Sequence, residues 1–303
     1  MKKRLPLSII IPTKDREKLL FKSLNFLKKN IFFFTEVIIV DSSATKMNCV
    51  KLKTSFKKLN IKYYTSRPST SKQRNLGLKS MKKRNKFIMF LDDDIKFKNN
   101  AFKKMYNFIN KKNNIIGLVG IGFNSITSLR YKKNLFERIK NSTFISKLGL
   151  YDSRPGLVTN SGWQTKILNI KKDTDVQWLP TQACIYKKKA IKSLKFSDQL
   201  GAYAYLEDLL FSYEMSKRGR LSIHYKAKYK DMLTVERNQF LFGIKEIRNR
   251  IFFIKQNKLA INKFLLGYVF FISKNFLEIF FNFKMIMRFF GNIVGIYYLI
   301  QIK

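Results

Sequence analysis

The chain has 303 residues with 61 Lys and Arg against 19 Asp and Glu, a formal charge of +42, and 46% hydrophobic content, enough to build a core. That length accommodates one large α/β domain and an appendage. Its one histidine, His224, excludes zinc sites made from several imidazoles, and two distant cysteines, Cys49 and Cys184, exclude a disulfide framework and fit a reducing cytosol. The charge invites a nucleic-acid or an anionic-membrane partner. The lysines are scattered through every segment and no nucleic-acid-binding motif accompanies them, so no nucleic-acid partner is expected.

In chain order, Lys2, Lys3 and Arg4 precede an apolar run that ends at Pro12 with no small-residue cleavage site. It reads as a first strand over 7–11 rather than as a signal peptide. Thr13, Lys14, Asp15 and Arg16 open a helix with Leu19, Leu20, Leu24 and Leu27 at helical spacing. A second strand over 37–40 ends on Asp41. A helix through Val50, Leu52 and Phe56 and a third strand over 61–64 follow. Thr70 and Gln73 have capping-box spacing and predict a helix start just ahead of Arg74. Residues 87–91 form an uninterrupted apolar run, a buried strand that leads directly into Asp92, Asp93 and Asp94. Strands alternating with helices predict a mostly parallel sheet with helices on its faces.

Beyond the aspartates, a helix over 101–109 and a strand over 115–121 are expected. Neither a G-x-G-x-x-G nor a Walker A pattern occurs. From 123 to 175 periodicity fades, and this stretch is a candidate active-site loop rather than a linker. Trp178 precedes a strand over 182–186, and a helix over 205–217 carries Glu207 and Asp208 in its first turn. A strand over 221–229 and a basic helix over 236–256 complete a catalytic domain of residues 1–256. The tail, 257–303, has apolar runs interrupted by Lys274, Glu278, Lys284 and Arg288. None reaches the length of a spanning helix, so amphipathic helices lying in a membrane interface are expected, with packing on the domain or on a second subunit as the other reading.

Three adjacent aspartates in so basic a chain need an explanation, because carboxylates at ~4 Å repel by about 4 kcal/mol at an effective dielectric of 20. A hard divalent cation held by oxygen ligands would offset that; a solvated acidic turn is the plainer alternative. An EF-hand is excluded, since Lys96 and Phe97 stand where it needs Asp or Asn and Gly. Ligands in open α/β sheets sit beyond the carboxyl ends of strands, where these residues fall. A metal there implies an anionic substrate such as a diphosphate, with Arg74 near a helix N-terminus as a second anchor. Asp41 can accept hydrogen bonds from a base or ribose. Glu207 and Asp208 read either as acids favoured by the helix dipole or as a general base for an acceptor hydroxyl. Trp178 can stack on a sugar or fill the core, and His224 reads as a strand residue.

Five segments, taken in order, resemble the family 2 glycosyltransferases of GT-A fold: Leu7 to Thr13, Glu36 to Asp41, Lys72 to Gly77, Phe90 to Asp94, and Gly201 to Ser212, with Lys217-Arg218-Gly219 after them. The resemblance spans about 220 residues and stops short of the tail. It implies an inverting transfer from a nucleotide-diphosphate sugar to an acceptor hydroxyl, with no covalent enzyme intermediate. By the same resemblance Thr13, Asp15, Arg16 and Asp41 line the nucleotide pocket and Arg74 holds the nucleotide. Asp92 meets the ribose, and Asp94 binds Mg²⁺ or Mn²⁺ with Asp92 and Asp93 beside it. Asp208 is the implied base; Glu207 and Trp178 meet the acceptor. Many relatives place a metal-binding His where this chain reads Ala227-Lys228-Tyr229-Lys230-Asp231, and Asp15 stands where relatives often have Asn.

The expected protein is therefore a metal-dependent glycosyltransferase at the cytoplasmic face of a membrane, acting on a surface polysaccharide or a lipid-linked glycan. A nucleotidyltransferase using the same carboxylates and an inactive membrane scaffold are the alternatives.

Overall fold

The computed structural model describes residues 4–301 apart from 48, 99, 123–142, 169, 203, 233–236 and 284. Nine strands form one sheet: β1 Leu7–Thr13, β2 Glu36–Asp41, β3 Ile61–Thr65, β4 Phe87–Leu91, β5 Ile95–Phe97, β6 Ile115–Gly122, β7 Thr174–Val176, β8 Ala183–Lys187 and β9 Arg220–Asp231. Eleven α-helices are described: α1 Glu17–Lys29, α2 Cys49–Ser55, α3 Thr70–Ser80, α4 Ala101–Lys111, α5 Thr143–Lys147, α6 Lys188–Ile191, α7 Glu207–Ser216, α8 Gln239–Gln256, α9 Ile261–Ile279, α10 Met285–Ile296 and α11 Tyr298–Gln301.

The strand order is β3-β2-β1-β4-β8-β6-β9-β5, with β7 also on β9. From β3 to β4 every pairing is parallel. Beyond β4 the sheet is mixed: β8 runs antiparallel to β4 and β6, β6 and β9 are parallel, and β5 and β7 are antiparallel to β9. The expected parallel sheet thus holds for the first half. β1, β2, β4 and β8 are buried along their whole length. Elements cover both faces of these central strands, which is why their sequences are uninterrupted apolar runs rather than alternations.

Two compact units emerge from the packing: Met1–Asn124 with Asn169–Leu233, and Ser125–Leu168 with Thr234–Lys303. The sheet lies wholly in the first. Helix α8, which the sequence reading assigned to the catalytic domain, packs with the tail helix α10 inside the second. The helix expected from 236 starts at Gln239, capped by the Asn238 side chain accepting from the Leu241 N–H at 3.0 Å. Of the loop expected over 123–175, residues 123–142 and 169 lie outside the described residues.

Two short strands were not anticipated. Three residues of β5 pair antiparallel with the end of β9, setting Ile95 opposite Asp231, and β7 pairs with the start of β9. The cap of α3 also differs from expectation. Ser69, not Thr70, accepts from the Lys72 N–H, and Gln73 instead donates through Nε2 to the carbonyls of Thr13 and Val40 at 2.8 and 2.7 Å. One side chain so clamps the carboxyl ends of β1 and β2 to the helix that carries Arg74.

Candidate active site

All the carboxylates singled out in the first half of the chain lie where β1, β2 and β4 end, and α7 brings Glu207 and Asp208 to the same place. Arg74, buried in α3, makes the connection. Its Nη2 donates to Asp92 Oδ1 at 2.9 Å and its Nη1 to Glu207 Oε1. Beneath it the guanidinium lies 5.6 Å from the ring of Phe196, which stacks on Phe211 of α7 at 4.1 Å and meets Phe90 of β4 edge-on at 5.1 Å. Burial alone would depress the guanidinium pKa, but Glu207 and Asp92 outweigh it and raise it, so Arg74 is permanently charged.

The three aspartates have different surroundings. Asp93 is buried and accepts from the Thr13 hydroxyl at 2.6 Å and from Arg16 Nη1 at 3.2 Å, while its carbonyl accepts from Ser23 at 2.7 Å. Burial raises its pKa against those bonds. Thr13 is itself buried, with its hydroxyl proton directed to Asp93. Asp92 is half-buried, and its N–H donates to the Gln182 carbonyl at 2.9 Å.

Asp94, at the entry to β5, has Arg16 at 3.6 Å as its cation among the described residues. Its pKa is pushed up to about 7, first by burial, then by Asp92 and Asp93, with Asp231 adding to the rise. Asp231 comes alongside through the β5–β9 pairing, in which the Met232 N–H donates to the Asp94 carbonyl at 2.8 Å. It lies two residues past the predicted end of the last strand, where the alternation alone gives it no mark.

Glu207 and Asp208 form the first turn of α7, after Leu206 in the left-handed region at φ 70°. Glu207 is buried and held twice, by Arg74 and by the Ser71 hydroxyl at 2.9 Å. Asp208 is half-buried; the bond described for its carboxylate is from the Leu209 N–H at 2.8 Å. Burial pushes its pKa up to about 6, with Glu207 and Asp92 adding to the rise and Arg74 opposing it. Burial raises the pKa of Glu207 as well, so the two adjacent acids differ in their partners: Glu207 is locked by side chains, and Asp208 is held by a backbone N–H.

Asp41 is buried, with one oxygen bonded by the Ser43 N–H at 2.8 Å and by the Ser43 hydroxyl, and the other by the Tyr63 hydroxyl at 2.7 Å. Asp15 sits exposed on the neighbouring loop at φ 53°, accepting from the Ala44 N–H at 3.1 Å. Trp178 is half-buried in the segment between β7 and β8. His224 is a strand residue as expected, bonded to Asp173 at 2.7 Å and stacked on Phe108 at 4.5 Å. Sequence reasoning missed Ser71 and Phe196, read Gln73 only as part of a helix cap, and named Asp231 only in the stretch where relatives carry a His; their roles follow from partners distant in sequence.

Among the described residues no group of three or more His, Cys, Asp or Glu side chains converges as a metal cage. What is present fits a different arrangement. Asp94 and Asp92 offer hard oxygen donors at the ends of adjacent elements, and the upward push on Asp94 comes first from burial and then from the neighbouring carboxylates Asp92 and Asp93. Magnesium-type ions are commonly held by one or two carboxylates, with substrate phosphates completing the shell.

The sequence of residues 8–194 matches the family described as Glycosyl transferase family 2. The fold is similar to that of S. aureus TarS residues 1–349, at 20% identity and a TM-score of 0.54, over 86% of this chain and 71% of that one. It is also similar to the mannosyltransferase PcManGT of Pyrobaculum calidifontis, solved in complex with GDP-Man and Mn²⁺, at 10% identity and a TM-score of 0.57, over 99% and 88% of the two chains. A third likeness is to GalNAc-T7 with UDP, GalNAc and Mn²⁺, at 12% identity and a TM-score of 0.56, over 84% of this chain and 48% of that one. No curated protein matches the sequence. With more than half of its length matched and a sheet of this topology, the chain belongs to glycosyl transferase family 2, the nucleotide-sugar transferases of GT-A fold.

Proposed function

We propose that the protein transfers a sugar with inversion from a nucleotide-diphosphate sugar to a hydroxyl of a surface polysaccharide or lipid-linked glycan, with Asp208 as the base. The observation that carries this reading is the contrast between the adjacent acids. Arg74 and Ser71 hold Glu207 in place, while Asp208 keeps a pKa of about 6 beside Asp92. A base poised near the working pH is what removal of a hydroxyl proton requires.

In the transfer the acceptor oxygen bonds to the anomeric carbon as the bond from that carbon to the diphosphate oxygen breaks. The acceptor proton passes to Asp208. Arg74 fixes the donor-side Asp92 and the acceptor-side Glu207 to one guanidinium, which sets the distance between the two halves of the site. Thr13 and Arg16 orient Asp93, which supports the turn that carries Asp94. Asp94 and Asp92 would hold Mg²⁺ or Mn²⁺, and a bound dication supplies neutralisation of the departing diphosphate. Support for a nucleotide donor comes from the similar structures: TarS was solved with UDP and with UDP-GlcNAc, and PcManGT with GDP-Man and Mn²⁺.

The test is a thermal-shift panel of UDP-, GDP-, CMP- and dTDP-linked sugars with and without Mn²⁺, followed by transfer assays with the donor that binds. A ligand at a hundred times its dissociation constant adds about 2.7 kcal/mol of stability. The expected result is one nucleotide class stabilising only with metal and not in Asp94→Ala. If Asp208→Asn left transfer intact, Asp208 would not be the base.

A further inference from the structure

Helices α9 and α10 are built inside out for a protein in water. A soluble helix buries its large apolar residues and exposes its polar ones. Here the buried positions are Phe264, Gly267 and Asn275 on α9 and Gly291, Asn292 and Gly295 on α10. Exposed are Leu266, Val269 and Phe276 on α9 and Met287, Phe290 and Val294 on α10. The turn between the helices is ordered by N–H donation from Phe281 and Asn282 to the Glu278 carbonyl, and it presents Phe280, Phe281 and Phe283 at 74%, 90% and 75% exposure.

The inward faces are held by close backbone approach and polar bonds. Gly243 of α8 meets Gly291 so closely that a Cβ on Gly291 would stand 2.1 Å from the Phe240 carbonyl oxygen. Asn275 donates to Asn292 at 2.9 Å, and Asn292 donates to the Gly243 carbonyl and to Glu246, both at 3.1 Å. Arg288 makes a forked pair with Glu246 at 2.8 and 3.1 Å. Small residues at the contact, polar side chains as the adhesive and large apolar groups outward are how helices pack in lipid.

We propose that this helical hairpin lies in the interface of an anionic bilayer, with the Phe280–Phe283 turn and the outward faces of α9 and α10 in the acyl boundary. No described helix is long and apolar enough to cross a membrane, which leaves the hairpin lying on one. Charge selects lipid over a second copy of the chain. Residues 239–303 carry ten Lys and Arg and two Glu, and both Glu are already paired, with Arg288 and Lys274. A second copy would bring the same positive charge to the contact, whereas a leaflet rich in phosphatidylglycerol supplies the opposite sign.

The test is flotation of the full chain with phosphatidylcholine vesicles, with and without phosphatidylglycerol. Wild type should float with the anionic vesicles, less so in high salt. The variant Phe280→Ser/Phe281→Ser/Phe283→Ser should partition at least about tenfold less while keeping the wild-type melting temperature. In parallel, emission from Phe281→Trp should be quenched by brominated lipid beyond the quenching of wild type, which already contains Trp163 and Trp178. Three outcomes overturn the proposal: wild type staying with the vesicle-free fraction, the triple variant floating like wild type, or light scattering showing a dimer that the triple variant dissolves without loss of vesicle binding. None of these readouts requires turnover, so the result stands apart from the transfer chemistry.

Discussion

Glu36 at one end of the sheet and Asp94 and Asp208 at the other are carboxylates drawn away from water, and their surroundings treat them in opposite ways. At the amino ends of the strands, Glu36 accepts from the Ser8 hydroxyl at 2.7 Å, from the Lys82 N–H at 2.7 Å and from Asn85 at 3.0 Å, and pairs with Lys62 at 3.0 Å. Burial pushes its pKa up, but these bonds prevail and the net shift is downward. At the carboxyl ends, Asp94 and Asp208 are raised to about 7 and about 6 by burial and by one another's neighbours. A buried carboxylate surrounded by donors stabilises a fold, while one surrounded by other carboxylates is kept for a ligand or a proton. The two ends differ in what they lack rather than in residue type.

Four variants and one pH–rate profile sharpen or break that contrast. The largest effect is expected from Asp208→Asn, which should lower transfer by about 10²–10⁴ while nucleotide affinity stays within about threefold of wild type by calorimetry. In the parent enzyme, transfer should fall tenfold per pH unit below about 6 as Asp208 takes up its proton. A pH-rate profile without that acid limb would remove Asp208 from the role.

Next is Arg74→Ala, which leaves the buried Glu207 and the half-buried Asp92 without their cation. It should cost about 3–5 kcal/mol in denaturant unfolding. Glu36→Gln should cost about 1–3 kcal/mol and leave kcat unaltered, because Glu36 lies at the opposite end of the strands from the candidate site. The lowered pKa of Glu36 gives stability that is fully present above the ordinary carboxylate pKa of 4.5 and lost as pH falls below it. Loss of kcat in Glu36→Gln would break the comparison.

The smallest effect has the opposite sign. Because Asp94 is raised from 3.8 to about 7, the folded chain holds more protons than the unfolded one between those values, and this group lowers stability as pH rises through that window. Asp94→Asn should therefore raise the metal-free melting temperature at pH 7.5 by about 2–4 °C, and abolish any Mn²⁺-dependent shift with nucleotide. A variant that melts lower would show that Asp94 is compensated in the free protein.

The central strands were legible in sequence because burial on both faces leaves uninterrupted apolar runs, as in Ile9-Ile10-Ile11 and Val37-Ile38-Ile39-Val40. Helix α1 was legible because Leu20, Leu24 and Leu27 recur at its period and are all buried. β5 and β7 were not, since three residues hold too little pattern to declare a strand. The acidic residues of the site were marked by their scarcity in a basic chain. Their division of labour was not, because it rests on pairs remote in sequence: Thr13 with Asp93, Ser71 and Arg74 with Glu207. The expectation that Arg74 helps hold a nucleotide came from its place near a helix start and from the family resemblance; its bonds to Asp92 and Glu207 were not legible, because those partners are remote in sequence.

That double engagement has a thermodynamic consequence. Arg74 has a single guanidinium and two clients, so whatever draws Asp92 toward a donor alters the hold on Glu207, and the reverse is equally true. Occupancy on one side then changes affinity on the other by the same factor, and coupling energies of this kind typically run to about 1–3 kcal/mol. Such coupling makes the two affinities depend on each other through one side chain, whichever ligand binds first.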